Sequence, residues 1–221
     1  RRRELEGKTA LNIVGTQRAG RYRYVEPFAE AWGLSARAFV AGRIFFGLCR
    51  HLGIDVSPVK DTGVPGKDLR ERLEMAWADE AEDFLFVHTK APDEAAHTGD
   101  PRVKKDVIEA LDKGLSHLRK ALESDPETLL VVVADHSPPS GGNMIHGGGT
   151  VPLLMVGPHT RRDDVVRFDE VSCARGGLGP LRGRELMRVI LDQMDRGQLL
   201  GLRDAPGERP YFPGPFEPLE G

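Results

Sequence analysis

Five acidic and imidazole side chains fall in three short clusters: Asp93 and His97, then Asp135 and His136, then His146. Carboxylates and imidazoles are the ligands that hard-to-borderline divalent metals choose. Five of them close after expected strands exceed what one ion usually needs. Their types therefore point to a two-metal site for phosphoryl or related ester chemistry. Asp93 and His97 are four residues apart, so on a helical turn both face one side and can share one ion. Taken alone, that spacing is weak evidence and is more often met by a surface loop whose Asp caps the next turn. Asp135 and His136 directly follow the apolar run Leu129–Val133. Adjacent side chains at a strand end diverge, so the pair serves two ions, or one if the backbone bends. A helix cap beside an incidental His is the simpler alternative, but an Asp next to five apolar residues is costly without a partner. His146 lies in the glycine-rich stretch 141–149, where backbone can approach a ligand closely or simply turn.

The elements that must carry these groups alternate. Strands are expected at Lys8–Val14, Ala36–Ala41, Asp55–Val59, Phe84–His88, Leu129–Val133 and Pro152–Val156. Helices are expected at Val25–Trp32, Arg43–Leu52, Lys67–Ala78 and Gly183–Met194. Asp100 and Pro101 start another, with a capping carboxylate and then proline at the first helical position. Val103, Val107, Ile108, Leu111, Leu115, Leu118 and Leu122 keep one face of it apolar. Leu129–Val133 is apolar on both faces and fits a central strand of a parallel sheet. The pattern is that of an α/β layered domain with a mostly parallel sheet. Active sites of such sheets form beyond the carboxyl ends of the strands, where Asp93, His97, Asp135 and His136 fall. The tail 205–221 is rich in Pro and Gly and is expected to be irregular.

Composition narrows the class. The chain has 221 residues, 39% apolar and 29% charged, with a net charge of −3. That balance gives no electrostatic pull toward nucleic acid or membrane. The two cysteines, Cys49 and Cys173, form no C-x-x-C pair, and a reducing cytoplasmic setting is the expectation. No run approaches transmembrane length, and no signal-peptide pattern is present. Cys49 and His88 read as core residues, and Cys173, without a basic partner, is not read as a nucleophile. The oligomeric state is not set by the sequence.

Residues 84–100, the stretch Val133–Pro139, His146, Val151 and Pro152, and the segment 176–183 with the helix after it carry a resemblance. Over about 32–196 the chain resembles the archaeal-type cofactor-independent phosphoglycerate mutases of the alkaline phosphatase superfamily. The resemblance implies a three-layer alkaline-phosphatase-like α/β sandwich with its N-terminal part missing. Residues 1–24 would be the return from an inserted domain, and 25–204 the C-terminal part of the metalloenzyme domain. It implies two divalent ions (Mn, Zn, Co or Mg), one on Asp93, His97 and His146 and the other on Asp135 and His136. It implies a small phosphorylated substrate, with 3- and 2-phosphoglycerate interconverted through a phosphoserine whose Ser is expected upstream of Arg1. Lys90 would contact phosphate or balance the acidic charge. A phosphoester hydrolase, or an inactive metal-binding fragment, is the alternative. The chain departs from the family pattern at Pro92, at Thr98 and at Pro138. All five ligand positions are kept, so the departures bear on substrate choice.

Overall fold

The computed structural model describes residues 15, 20–141 and 146–197. The expected strand at 8–14 and the tail 205–221 lie outside them. The described elements are α1 (Phe28–Trp32), β1 (Ala36–Val40), α2 (Arg43–His51), β2 (Asp55–Pro58), α3 (Pro65–Trp77) and β3 (Phe84–Val87). They continue with α4 (Ala91–Ala96), α5 (Pro101–Leu115), α6 (Leu118–Ser124), β4 (Leu130–Val133), β5 (Leu153–Val156), α7 (Glu170–Cys173) and α8 (Gly183–Gln193).

The three strands β2-β1-β3 form a parallel sheet with β1 in the middle. β1 holds that place with Ala38, Phe39 and Val40 all buried, residues that alternate between its two faces. On one face Ala38 and Val40 pack with Cys49 and Ile54, with Phe28, Phe45, Leu52 and Val56 around them. This is the core, and α2 turns Phe45 and Cys49 onto it, while Ile44 and Leu48 are exposed. The other face carries Arg37 and Phe39, which share an open cleft with Met75 and Ala78 at the end of α3. Helices therefore cover both faces, as the expected layering requires.

α3 and α5 touch backbone to backbone. A side chain at Gly66 would collide with the Ala110 carbonyl, and one at Gly114 would sit 2.5 Å from the Gly66 oxygen. The N-terminus of α5 is built as expected: Asp100 accepts a hydrogen bond from the Arg102 amide at 2.9 Å, and Pro101 follows it.

Four expectations change. The apolar pattern through Leu122 spans two helices, because Ser116 turns its hydroxyl back onto the Lys113 carbonyl at 2.7 Å and the chain breaks there. The helix expected from Val25 begins at Phe28. Pro27 is extended there (φ −55°, ψ 146°) and disfavours helical backbone at the residue before it. The helix expected from Lys67 begins earlier, with Pro65 in its first turn. β4 is not a central parallel strand. It pairs antiparallel with β5, from Leu130 opposite Val156 to Val133 opposite Leu153, in a separate two-stranded sheet. Among the described residues between them there is no crossover helix, which parallel pairing needs, so the chain folds back on itself. An apolar run does not distinguish the two pairings. The short helix α7 was not expected; Asp169 starts it by accepting from the Ser172 amide at 2.8 Å.

His88 extends the sheet, its amide donating to the Phe39 carbonyl at 3.2 Å. Its ring lies 3.8 Å, centroid to centroid, from Phe45. It is the packed core residue that the sequence suggests. Burial pushes the imidazole pKa down, and the nearby Asp135 carboxylate only partly opposes this. A depressed imidazole takes its proton later in the folded state than in the unfolded one. Its stability contribution is therefore full above the ordinary histidine range and is lost as pH falls below it. Urea unfolding at pH 7 and pH 5 will show a shallower acid loss for His88→Asn than for the unaltered protein. Gly114→Ala gains helix propensity worth about 1 kcal/mol but overpacks rigid backbone at about 1–3 kcal/mol. The neighbour is rigid backbone, so the clash wins, and chemical denaturation will show destabilisation of up to about 2 kcal/mol.

Candidate metal centre

β3 points its carboxyl end at the site. Two residues later the Thr89 hydroxyl accepts from the Ala91 amide at 3.3 Å, and α4 begins with Pro92 in its first turn. The conditional reading of Asp93 and His97 is met: they lie one helical turn apart, with the His97 amide donating to the Asp93 carbonyl at 3.1 Å. Ala95 and Ala96, on the same helix, are buried, and α4 packs against α5. Small side chains there let the helix sit close, which holds both polar groups at a fixed height above the sheet.

The second carrier is the loop after β4. Lys104 on α5 donates to the Pro138 carbonyl at 2.6 Å and holds that loop against the helix layer. Ser137 and Gly147 then form an isolated antiparallel bridge, with the Gly147 amide donating to the Ser137 carbonyl at 2.8 Å. A Cβ at Gly147 would lie 2.9 Å from that carbonyl, so the crossing favours glycine. The bridge sets His136 beside His146, with ring centroids 4.2 Å apart.

Asp93 is the hub. Its Oδ1 lies 3.4 Å from His97 Nε2, 3.5 Å from His146 Nε2 and 3.9 Å from His136 Nε2. The ligand atoms of Asp93, His97 and His146 all fall within 4.8 Å of one another. Two ligands on one tetrahedral ion at ~2.1 Å stand ~3.4 Å apart. The separations of Asp93 Oδ1 from His97 Nε2 and from His146 Nε2 match that value. The Asp93 side chain is only 17% exposed, and its Oδ1 is buried without a hydrogen-bond donor among the described residues. A buried carboxylate oxygen left so is costly unless a cation satisfies it. His136 Nδ1 is buried without a partner as well. The donor set and these orphaned atoms fit a divalent ion.

The other two sites of interest are looser. Asp135 is 75% exposed, and its Oδ2 is 3.5 Å from His136 Nε2. Its Oδ1 accepts from the His136 amide at 3.0 Å. His136 thus stands between the two carboxylates, nearer Asp135 but leaning toward the Asp93 cluster. Lys90 Nζ lies 3.8 Å from Asp93 Oδ2, the geometry of charge balance, with its side chain half exposed and able to reach outward. Sequence reasoning missed Lys104, which carries no motif, and Arg72, whose guanidinium is buried behind β3. Neither spacing nor residue type in the chain signals these long-range contacts.

Comparison with known proteins agrees with this chemistry. Residues 61–193 match the metalloenzyme superfamily. The chain is 43% identical over 213 residues to 2,3-bisphosphoglycerate-independent phosphoglycerate mutase 2 of Methanocaldococcus jannaschii, covering 96% of this chain and 46% of that protein. It is 36% identical over 202 residues to the phosphoglycerate mutase of the same type from Methanoculleus marisnigri, covering 90% and 48%. The chain thus spans about half the length of the curated relatives it matches. Among solved structures, a Pyrococcus horikoshii protein superposes with a TM-score of 0.74 at 30% identity, over 90% of this chain and 53% of that one. The cofactor-independent phosphoglycerate mutase of Thermoplasma acidophilum gives 0.58 at 26% identity, over 77% and 39%. A matched segment that contains β3, the ligand helix and both ligand loops places this chain in the metalloenzyme superfamily.

Proposed function

We propose that this chain is the metal-binding part of an enzyme that interconverts 3-phosphoglycerate and 2-phosphoglycerate through a phosphoserine. The observation that carries the metal dependence is the buried, donorless Asp93 Oδ1 facing His97 and His146. The relatives' names supply the substrate class. Asp93, His97 and His146 would hold one ion, and Asp135 and His136 would contribute to a second. Divalent ions in such a pair supply Lewis acidity, which favours the alkoxide of an attacking hydroxyl and draws charge from phosphate oxygens.

This chain's own groups do the positioning. α4 presents Asp93 and His97 as one rigid unit, and the bridged loops bring His136 and His146 to it. Lys90, paired to Asp93 yet half exposed, is set to balance charge and to meet a phosphate oxygen. The serine that accepts the phosphoryl group would lie in the part of the relatives' length that this chain does not span. Residues 25–204 would then belong to one metalloenzyme domain, with 1–24 returning from an inserted one. The free thiols of Cys49 and Cys173 suit a cytoplasmic setting. No helix among the described residues is long and apolar enough to cross a membrane.

A phosphoester hydrolase would use the same ligands. The departures at Pro92, Thr98 and Pro138 surround the ligand residues and favour testing it. In the full-length protein, mass spectrometry of the metals and isomerisation of 3-phosphoglycerate, read beside phosphate release, separate the readings. Two ions per chain with isomerisation are expected. Phosphate release without isomerisation would make it a hydrolase, and no bound metal would end both readings. His146→Ala and Asp93→Asn remove direct ligands, so metal affinity will fall by more than about a hundredfold, beyond what losing an outer partner costs. Lys104→Met, which frees the loop behind His136, will weaken affinity by about tenfold. Competition with a chromophoric chelator measures all three.

A further inference from the structure

Arg72 is a cation on the middle of α3 with its residue surface 1% exposed. A guanidinium taken out of water is destabilising unless its donors are met. Three acceptors from different segments meet its Nη donors, while Nε is buried without a hydrogen-bond partner among the described residues. Nη1 donates to the His88 carbonyl at 2.6 Å, and Nη2 donates to the Lys60 carbonyl at 3.3 Å. Nη2 also pairs with the Asp61 carboxylate. The 60–62 segment is held a second time, since Asp68 accepts from the Thr62 amide at 2.8 Å and from its hydroxyl at 2.6 Å. Asp68 sits in the first turn of the same helix and is buried.

The segment that Arg72 grips is the one that leads to the metal centre. His88 is the last residue tied into the sheet, Thr89 caps the start of α4, and α4 carries Asp93 and His97. We propose that Arg72 is a positioning residue for the metal centre: its fork fixes the His88 carbonyl and thereby the height and direction of α4. This rests on the metal-centre reading above. A fork is required because the His88 carbonyl and Asp61 must be held at once. A lysine ammonium, a single point on a flexible stem, satisfies one and releases the other.

The residue is remote from the reacting atoms, so the readouts must see more than stability. In the full-length protein, Arg72→Met keeps the volume and leaves half-exposed Asp61 to water. Arg72→Lys keeps the charge. Zinc affinity by chelator competition, taken well below each variant's melting temperature, is expected to fall tenfold or more for Met and to an intermediate degree for Lys. Amide exchange across 91–97 is expected to quicken in both, while 183–193 is unchanged. A lower melting temperature with zinc affinity within twofold and exchange across 91–97 unaltered would make Arg72 merely structural and overturn the proposal. Should Arg72→Met fail to fold, the same two readouts on Arg72→Lys decide. Should the unaltered protein bind no zinc, the metal-centre reading fails, and exchange across 91–97 alone decides whether Arg72 holds α4.

Discussion

One buried oxygen organises this molecule. Asp93 Oδ1 has no hydrogen-bond donor among the described residues, while His97 and His146 approach it to 3.4 and 3.5 Å. A buried carboxylate oxygen in that setting is costly unless a cation satisfies it. A divalent cation satisfies all of these atoms together. The fold around Asp93 is an arrangement that keeps them from relaxing toward water.

That arrangement has two arms. The parallel sheet and its helices deliver α4 as a short rigid platform, seated on α5 through Ala95 and Ala96. The backbone contact of Gly66 with Ala110 and Gly114 draws α5 close to α3, so the platform, its support and the sheet move as one. The antiparallel β4–β5 pair delivers the other arm, closed by the Ser137–Gly147 bridge and braced by Lys104.

The molecule is also open. Val133 and Val156 expose apolar surface at opposite ends of the β4–β5 sheet, and Asp135, two residues beyond Val133, faces solvent. The chain spans about half the length of the curated phosphoglycerate mutases it matches. Of the two clusters, Asp93 with His97 and His146 is the more closely assembled. Asp135 and His136 form a half-finished set, with His136 shared between two carboxylates.

The sequence by itself determined the residue chemistry and most local elements. Asp93 with His97 is a local pair, so four-residue spacing was enough once the segment was helical. The α5 start was legible because Asp100 and Pro101 act within one turn. The runs of β1, β3 and β4 were legible because short, largely apolar runs mark a strand, whereas the apolar residues of α2 did not show which are covered: Cys49 is buried, but Ile44 and Leu48 are exposed. Tertiary structure alone decided the direction of β4, since an apolar run fits either pairing. It also decided that His136 and His146 join Asp93, through a bridge ten residues apart in sequence. The reach of Arg72 to His88 and of Lys104 to Pro138 was equally invisible. Such contacts depend on where whole elements pack, and a linear pattern records only what neighbours within a turn or a strand require.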